Sequence, residues 1–180
     1  MPMRARIAAA LVLWLACAAA QAQVYVGANG GLTHWNVDWN ATNEDRQGFG
    51  YRIYAGFDFH RAFGAEVFYL NLGKTTAGAG ELKGYGYGLA GVYNLKFGAN
   101  RASRMIVRLG LTSNKVTGNA ASGNFAGTKD SLRPLLGIGI GQDVAKNVML
   151  RADLDLTSVR TADSQLGGVQ MLSAGVTFRF

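Results

Sequence analysis

Eight charged residues in this chain stand where charge should be costly. Arg52, Asp58, Glu66, Arg108, Arg151, Asp153, Asp155 and Arg179 each alternate with large apolar or aromatic neighbours. Around the last acids, Met149, Arg151, Asp153 and Asp155 are interleaved with Val148, Leu150, Ala152, Leu154 and Leu156. Side chains of an extended strand point alternately to its two faces, so these charges share one face and the aliphatics the other. Cations and anions turned toward a common interior must pair, because an isolated buried charge is expensive. The chemistry expected of the set is therefore an ionic cluster, with Glu66 pairing Arg108 or Arg151. Members near a rim have hydration as their alternative.

The other reactive side chains give no constellation. His34 and His60 fall at opposite ends of the topology derived below, too far apart to share a metal. A pairing of His34 with loop Ser and Asp residues is the one nucleophilic arrangement left open. Cys17 is the only cysteine and lies in the leader, so the remainder has neither disulfide nor thiol nucleophile. The stretch from Gly84 to Gly88 alternates Gly with Tyr, which belongs to a strand rather than to a phosphate-binding loop opening a helix. No catalytic, cofactor-binding or metal residue is assigned, and no cofactor is expected. The formal charge of +7 is spread along the chain without basic clusters, which argues against nucleic acid as a partner.

The elements that would position the charges begin after residue 22. Arg4 and Arg6 precede an apolar run over 7–16, and Ala20-Gln21-Ala22 offers a small-x-small cleavage site. That is a secretory signal peptide, with a run too short to span a bilayer. A retained anchor and lipid attachment at Cys17 are the alternatives; Trp14 stands where a lipobox wants an aliphatic residue. Loss of 1–22 removes Arg4 and Arg6 and lowers the charge from +7 to +5. Residues 23–180 then form one domain.

Eight segments of that domain alternate with period two: 24–33, 49–59, 63–72, 84–97, 104–113, 132–142, 147–157 and 168–180. In the last, Leu172, Ala174, Val176, Phe178 and Phe180 share one face, and Met171, Ser173, Gly175, Thr177 and Arg179 the other. Large apolar residues keep to one face, while Gly and charges mix on the opposite one. A β-sandwich would not concentrate Gly on its wet face, whereas a narrow barrel needs small residues where inward side chains crowd. Long polar connections over 35–47, 73–83, 114–131 and 158–167 alternate with short ones over 60–62, 98–103 and 143–146. The reading is an all-β fold, an eight-stranded antiparallel up-and-down transmembrane β-barrel with both termini on the short-turn side. Tyr69, Tyr85, Phe97, Phe57, Phe59, Phe178 and Phe180 would form interfacial girdles on its outward face.

At this point the chain resembles the small OmpA-like and opacity-type outer-membrane barrels of Gram-negative bacteria. Val24-Tyr25-Val26-Gly27-Ala28, Tyr54-Ala55-Gly56-Phe57, Gly64-Ala65-Glu66-Val67 with Tyr69, and the ending Phe178-Arg179-Phe180 carry the resemblance. It implies a bacterial outer-membrane location and a lumen plugged by polar side chains. It also implies an assembly signal at Ser173, Gly175, Phe178 and Phe180, presented to the barrel-assembly machinery. The partners implied are outer-membrane lipid, lipopolysaccharide and an extracellular ligand met by the loops. Trp35, Trp39 and Asn40, with Asn43, make the first loop the expected contact surface, since exposed tryptophans are costly unless used. The leading function is a non-enzymatic structural and surface-interaction barrel. A narrow pore for small solutes and a lipid-modifying enzyme are the other readings. Lipid A deacylases carry a late His beside a Ser; residues 154–163 hold Ser158 and no His, which disfavours that family.

Overall fold

The computed structural model describes residues 23–36, 44–77, 80–98, 101–118, 127–160 and 166–180. The expected leader over 1–22 lies outside them. Eight long strands carry most of the described residues: β1 (Gln23–Asn36), β3 (Gln47–Asp58), β4 (Phe63–Ala77), β5 (Gly80–Phe97), β6 (Ser103–Gly118), β7 (Gly127–Ala145), β8 (Val148–Arg160) and β9 (Leu166–Arg179). A two-residue β2 (Glu44–Asp45) lies against the far end of β4. Each long strand pairs antiparallel with its neighbours in sequence, and β1 pairs β9 from Tyr25↔Arg179 to Asn36↔Gly168. The ladder therefore closes on itself as an up-and-down barrel. Closure removes the unpaired edges that lipid would not tolerate.

Alternation explains which way each side chain points. Val26, Ile53, Val67, Leu89, Leu109, Ile138, Leu150 and Leu172 face outward and are exposed, whereas Asn29, Arg52, Glu66, Arg108, Asp153 and Ser173 face inward and are buried. The inward glycines sit where large neighbours need the room. A Cβ on Gly84 would come within 2.5 Å of the Trp35 ring, and one on Gly137 within 2.6 Å of both Arg108 Nε and Asp155 Oδ1. Aromatics gather at both ends of the outward face. Phe63 and Tyr93 meet at 5.2 Å near the short turns, and Tyr69 stacks on Tyr85 at 6.4 Å near the other end.

The strands run further than the pattern predicts. Crossing a bilayer needs about 9–11 residues per strand, yet β5 has 18 and β7 has 19. Much of 73–83 and 114–131 is strand rather than loop, as are the ends of 35–47 and 158–167. Past the membrane boundary the amphipathic sense inverts. On β4, β5 and β6 the outward positions become Lys74, Lys83 and Lys115, while the inward ones become Leu72, Leu82 and Val116. Polar residues facing water look like loop in a sequence, which is why these extensions read as connections. Two local devices shape the projection. A bulge between Asn71 and Gly73 puts Gly73 at φ 76°, with Asn71 Oδ1 accepting its backbone N–H at 2.8 Å. Pro134, which cannot donate to a ladder, stands where the pairing of β7 with β8 stops, one residue beyond Leu135↔Thr157.

Candidate functional site: the filled interior of the barrel

The interior is built in three storeys. The central one holds three arginines and three acids. Asp155 Oδ1 accepts from Arg108 at 2.8 Å, and Asp155 Oδ2 lies 3.4 Å from Arg52. Asp153 faces Arg108 at 3.1 Å and Arg151 at 2.8 Å. Glu66 pairs with Arg151 at 3.2 Å and with Arg52. Six groups from β3, β4, β6 and β8 thus cancel one another's charge in a space with almost no solvent contact. Neutral groups complete the set. Asn29 donates to Asp153, Tyr54 hydroxyl donates to Asn29 Oδ1 at 3.2 Å, and that hydroxyl also lies 2.7 Å from Thr177 Oγ1. Two guanidinium groups lie over the Tyr54 ring, Arg52 at 4.6 Å and Arg151 at 4.7 Å from its centroid.

Toward the turns lies a second, smaller network. Asp143 accepts from Arg104 and Arg179, each at 2.7 Å, and Asp58 accepts from Asn94 at 3.2 Å. The cavity between this network and the central one is about 10 Å³, roughly enough for one water.

The third storey, toward the loops, is mainly apolar, with Thr33, Thr75 and Asn114 buried beside it. Trp35, Leu70, Leu72, Leu82, Val116, Leu135, Val159, Val169 and Met171 form one buried cluster. Trp35 is 0 % exposed, and its indole N–H donates to the carbonyl of Leu72 at 3.3 Å.

The expected ionic cluster is thus brought together in part. Arg52, Glu66, Arg108, Arg151, Asp153 and Asp155 meet, and Glu66 takes Arg151 rather than Arg108 as partner. Asp58 and Arg179 lie apart from them, in the network near the turns. The pattern missed Arg104 and Asp143, although Arg104 shares the parity of Arg108 on β6. Trp35 is a correction: it is not an external-loop contact but the largest side chain sealed inside, because β1 continues through it with Trp35 on the inward face. Trp39, Asn40 and Asn43 lie outside the described residues. Lys96, at the end of β5, is exposed at the mouth. Ser173 faces the lumen, and Phe178 and Phe180 face outward on the rim beside the turns. His34 is exposed at the loop end and His60 in the first turn. Among the described residues no group of three His, Cys, Asp or Glu side chains is placed to hold a metal.

A closed barrel with this face partition defines a class, and comparison supplies the family. Residues 7–180 match the family described as outer membrane protein beta-barrel domain, and the chain belongs to it. It is a bacterial outer-membrane protein on that ground. Among solved structures it is similar to Neisserial surface protein A (NspA), with TM-score 0.71 and 20 % identity over 87 % of this chain and 97 % of that one. The N-terminal β-barrel domain of Pseudomonas aeruginosa OprF gives TM-score 0.59 and 17 % identity over 88 % and 97 %. Ail, the attachment invasion locus protein of Yersinia pestis, gives 0.52 and 17 % over 86 % and 98 %, and has also been solved in complex with the heparin analogue sucrose octasulfate. At these identities the likeness is one of fold. Among curated proteins no sequence matches.

Proposed function

We propose that this protein is a non-enzymatic barrel that contributes to outer-membrane structure and meets extracellular partners through its loops, with a lumen that does not conduct. The observation carrying the second half is the stacking of the storeys. A neutral network of three arginines and three acids lies directly beneath an apolar cluster capped by Trp35. An ion entering from either end would have to displace paired charges or cross a mainly apolar layer. The short turns face the periplasm and the long hairpins the exterior, the orientation in which the projecting β6 and β7 reach outward. Surface interaction is supported by that projection, which carries paired strands past the length a bilayer crossing needs. The Ail complex with a heparin analogue shows that a barrel of this fold can be paired with a polyanion. Ser173, Gly175, Phe178 and Phe180 serve as the assembly signal, with their aromatic side chains on the outward rim of β9.

Planar-bilayer recording of the refolded barrel tests the closed lumen. Silence, apart from rare small transients, is the expected trace. Long, stable openings would favour the narrow pore instead. Altered lipid A after expression would favour the enzyme.

A further inference from the structure

Charge is distributed unevenly among the three regions of the barrel. Inside, five arginines balance five acids: Arg52, Arg104, Arg108, Arg151 and Arg179 against Asp58, Glu66, Asp143, Asp153 and Asp155. The segments at the loop end carry seven basic residues and six acidic ones. The turn end carries Arg61, Lys96, Arg101 and Lys146, all exposed, and no acidic side chain outside the interior networks. Nearly the whole positive excess therefore sits on one rim, and each of the three short turns contributes to it. None of the four forms an ion pair among the described residues, since Asp143 and Asp58 are engaged by Arg104, Arg179 and Asn94. Arg101 has φ 51°, the one non-glycine residue with left-handed backbone among those described. A turn that would sit more easily with Gly or Asn there instead presents a cation. Beside the ring stand Phe57, Phe59, Phe63, Tyr93, Phe97 and Phe178, which fix the depth of the membrane interface at the level of the four cations.

We infer that this rim is a binding ring for anionic phospholipid headgroups of the leaflet it faces, for which phosphatidylglycerol is the probe. The inference rests on the orientation proposed above, which makes that leaflet the periplasmic one. Free phosphodiester oxygens would take the unpaired donors of Arg61, Arg101 and Lys146 around the wall, with Lys96 at the mouth. A Lys or Arg close to an anionic surface favours association by about fivefold, and salt screens it.

The test uses the whole barrel in phosphatidylcholine bilayers containing a trace of spin-labelled phosphatidylglycerol or spin-labelled phosphatidylcholine. The immobilised fraction of each label gives their relative affinity for the barrel wall. The native protein should hold the anionic label about twofold or more over the neutral one. The combined variant Arg61→Gln, Lys96→Gln, Arg101→Gln and Lys146→Gln should bring the ratio to about one, with heat-modifiable migration showing that it still folds. High salt on the native protein should do the same without any substitution. Lys74→Gln with Lys83→Gln and Lys115→Gln, at the other end, should leave the preference in place. A native ratio of one, a preference surviving the four substitutions, or one lost equally with the three lysines would overturn the ring. So would four-cation-dependent capture of purified peptidoglycan without lipid preference, which would make the cell wall the partner. Orientation is read separately: a cysteine introduced at Ala99 and labelled on intact cells would reverse the topology without touching the lipid result.

Discussion

Arg108 shows what a buried ion pair demands of its neighbours. Its Nη2 serves Asp153 and Asp155 together, at 3.1 and 2.8 Å, and those two acids stand two residues apart on one face of β8. Arg108→Ala would leave both carboxylates short of a cation in a space closed to solvent. Breaking a buried pair in this way costs about 3–5 kcal/mol, whereas replacing both partners by apolar groups of similar volume is often neutral. Urea unfolding of the refolded barrel should therefore show Arg108→Ala strongly destabilised. Arg52→Met combined with Glu66→Met should lose less than either single change. A double loss equal to the sum of the two single losses would mean that Arg52 and Glu66 are not coupled. Gly137→Val belongs to the same argument from the other side, because its new side chain must displace Arg108 or Asp155.

At the scale of the element, the sequence declares faces better than it declares ends. Leu89 lies opposite Val67 on one neighbour and Leu111 on the other, all three outward, and is 63 % exposed on an isolated barrel. In lipid that exposure is hydrocarbon contact, so Leu89→Arg should cost about 2–4 kcal/mol near the bilayer centre. Folding into lipid vesicles measured by gel shift checks it, and an unimpaired yield would mean that the faces were assigned backward. The alternation around Leu89 was readable because Gly, Ala and charge alternate there with large apolar residues. Strand ends were not readable, because the polarity of each face exchanges at the membrane surface. Lys83 and Leu82 obey the same geometry as Leu89 and Gly88, but with lipid replaced by water and the polar lumen by an apolar core. The same exchange hid Trp35: its inward parity was visible, but a tryptophan followed by Asn, Val, Asp and Trp looks like loop. Pairing partners within the ionic cluster were beyond the pattern as well, since barrel stagger, and not sequence spacing, decides that Glu66 reaches Arg151.

For the whole molecule, the storeys predict how the lumen should respond to damage. Trp35 fills the upper storey and Gly84 makes space for its ring, so Trp35→Ala removes the largest fully buried side chain. Truncating a buried Trp costs about 3–5 kcal/mol. On the closed-lumen proposal it should still give no conductance, because the charged network beneath remains intact. Conversely, Arg52→Ala with Glu66→Ala should loosen the central storey yet leave the apolar one in place. Stable openings are expected only when the two lesions are combined, and the combined variant would need stabilising conditions to refold. Conductance from Trp35→Ala alone would place the whole barrier in the apolar storey and leave the ionic network a purely structural role. Conductance from Arg52→Ala with Glu66→Ala alone would place it in the charges. The division matters because the two barriers differ physically: a mainly apolar layer excludes all ions alike, whereas a balanced network of three cations and three anions resists displacement by either sign.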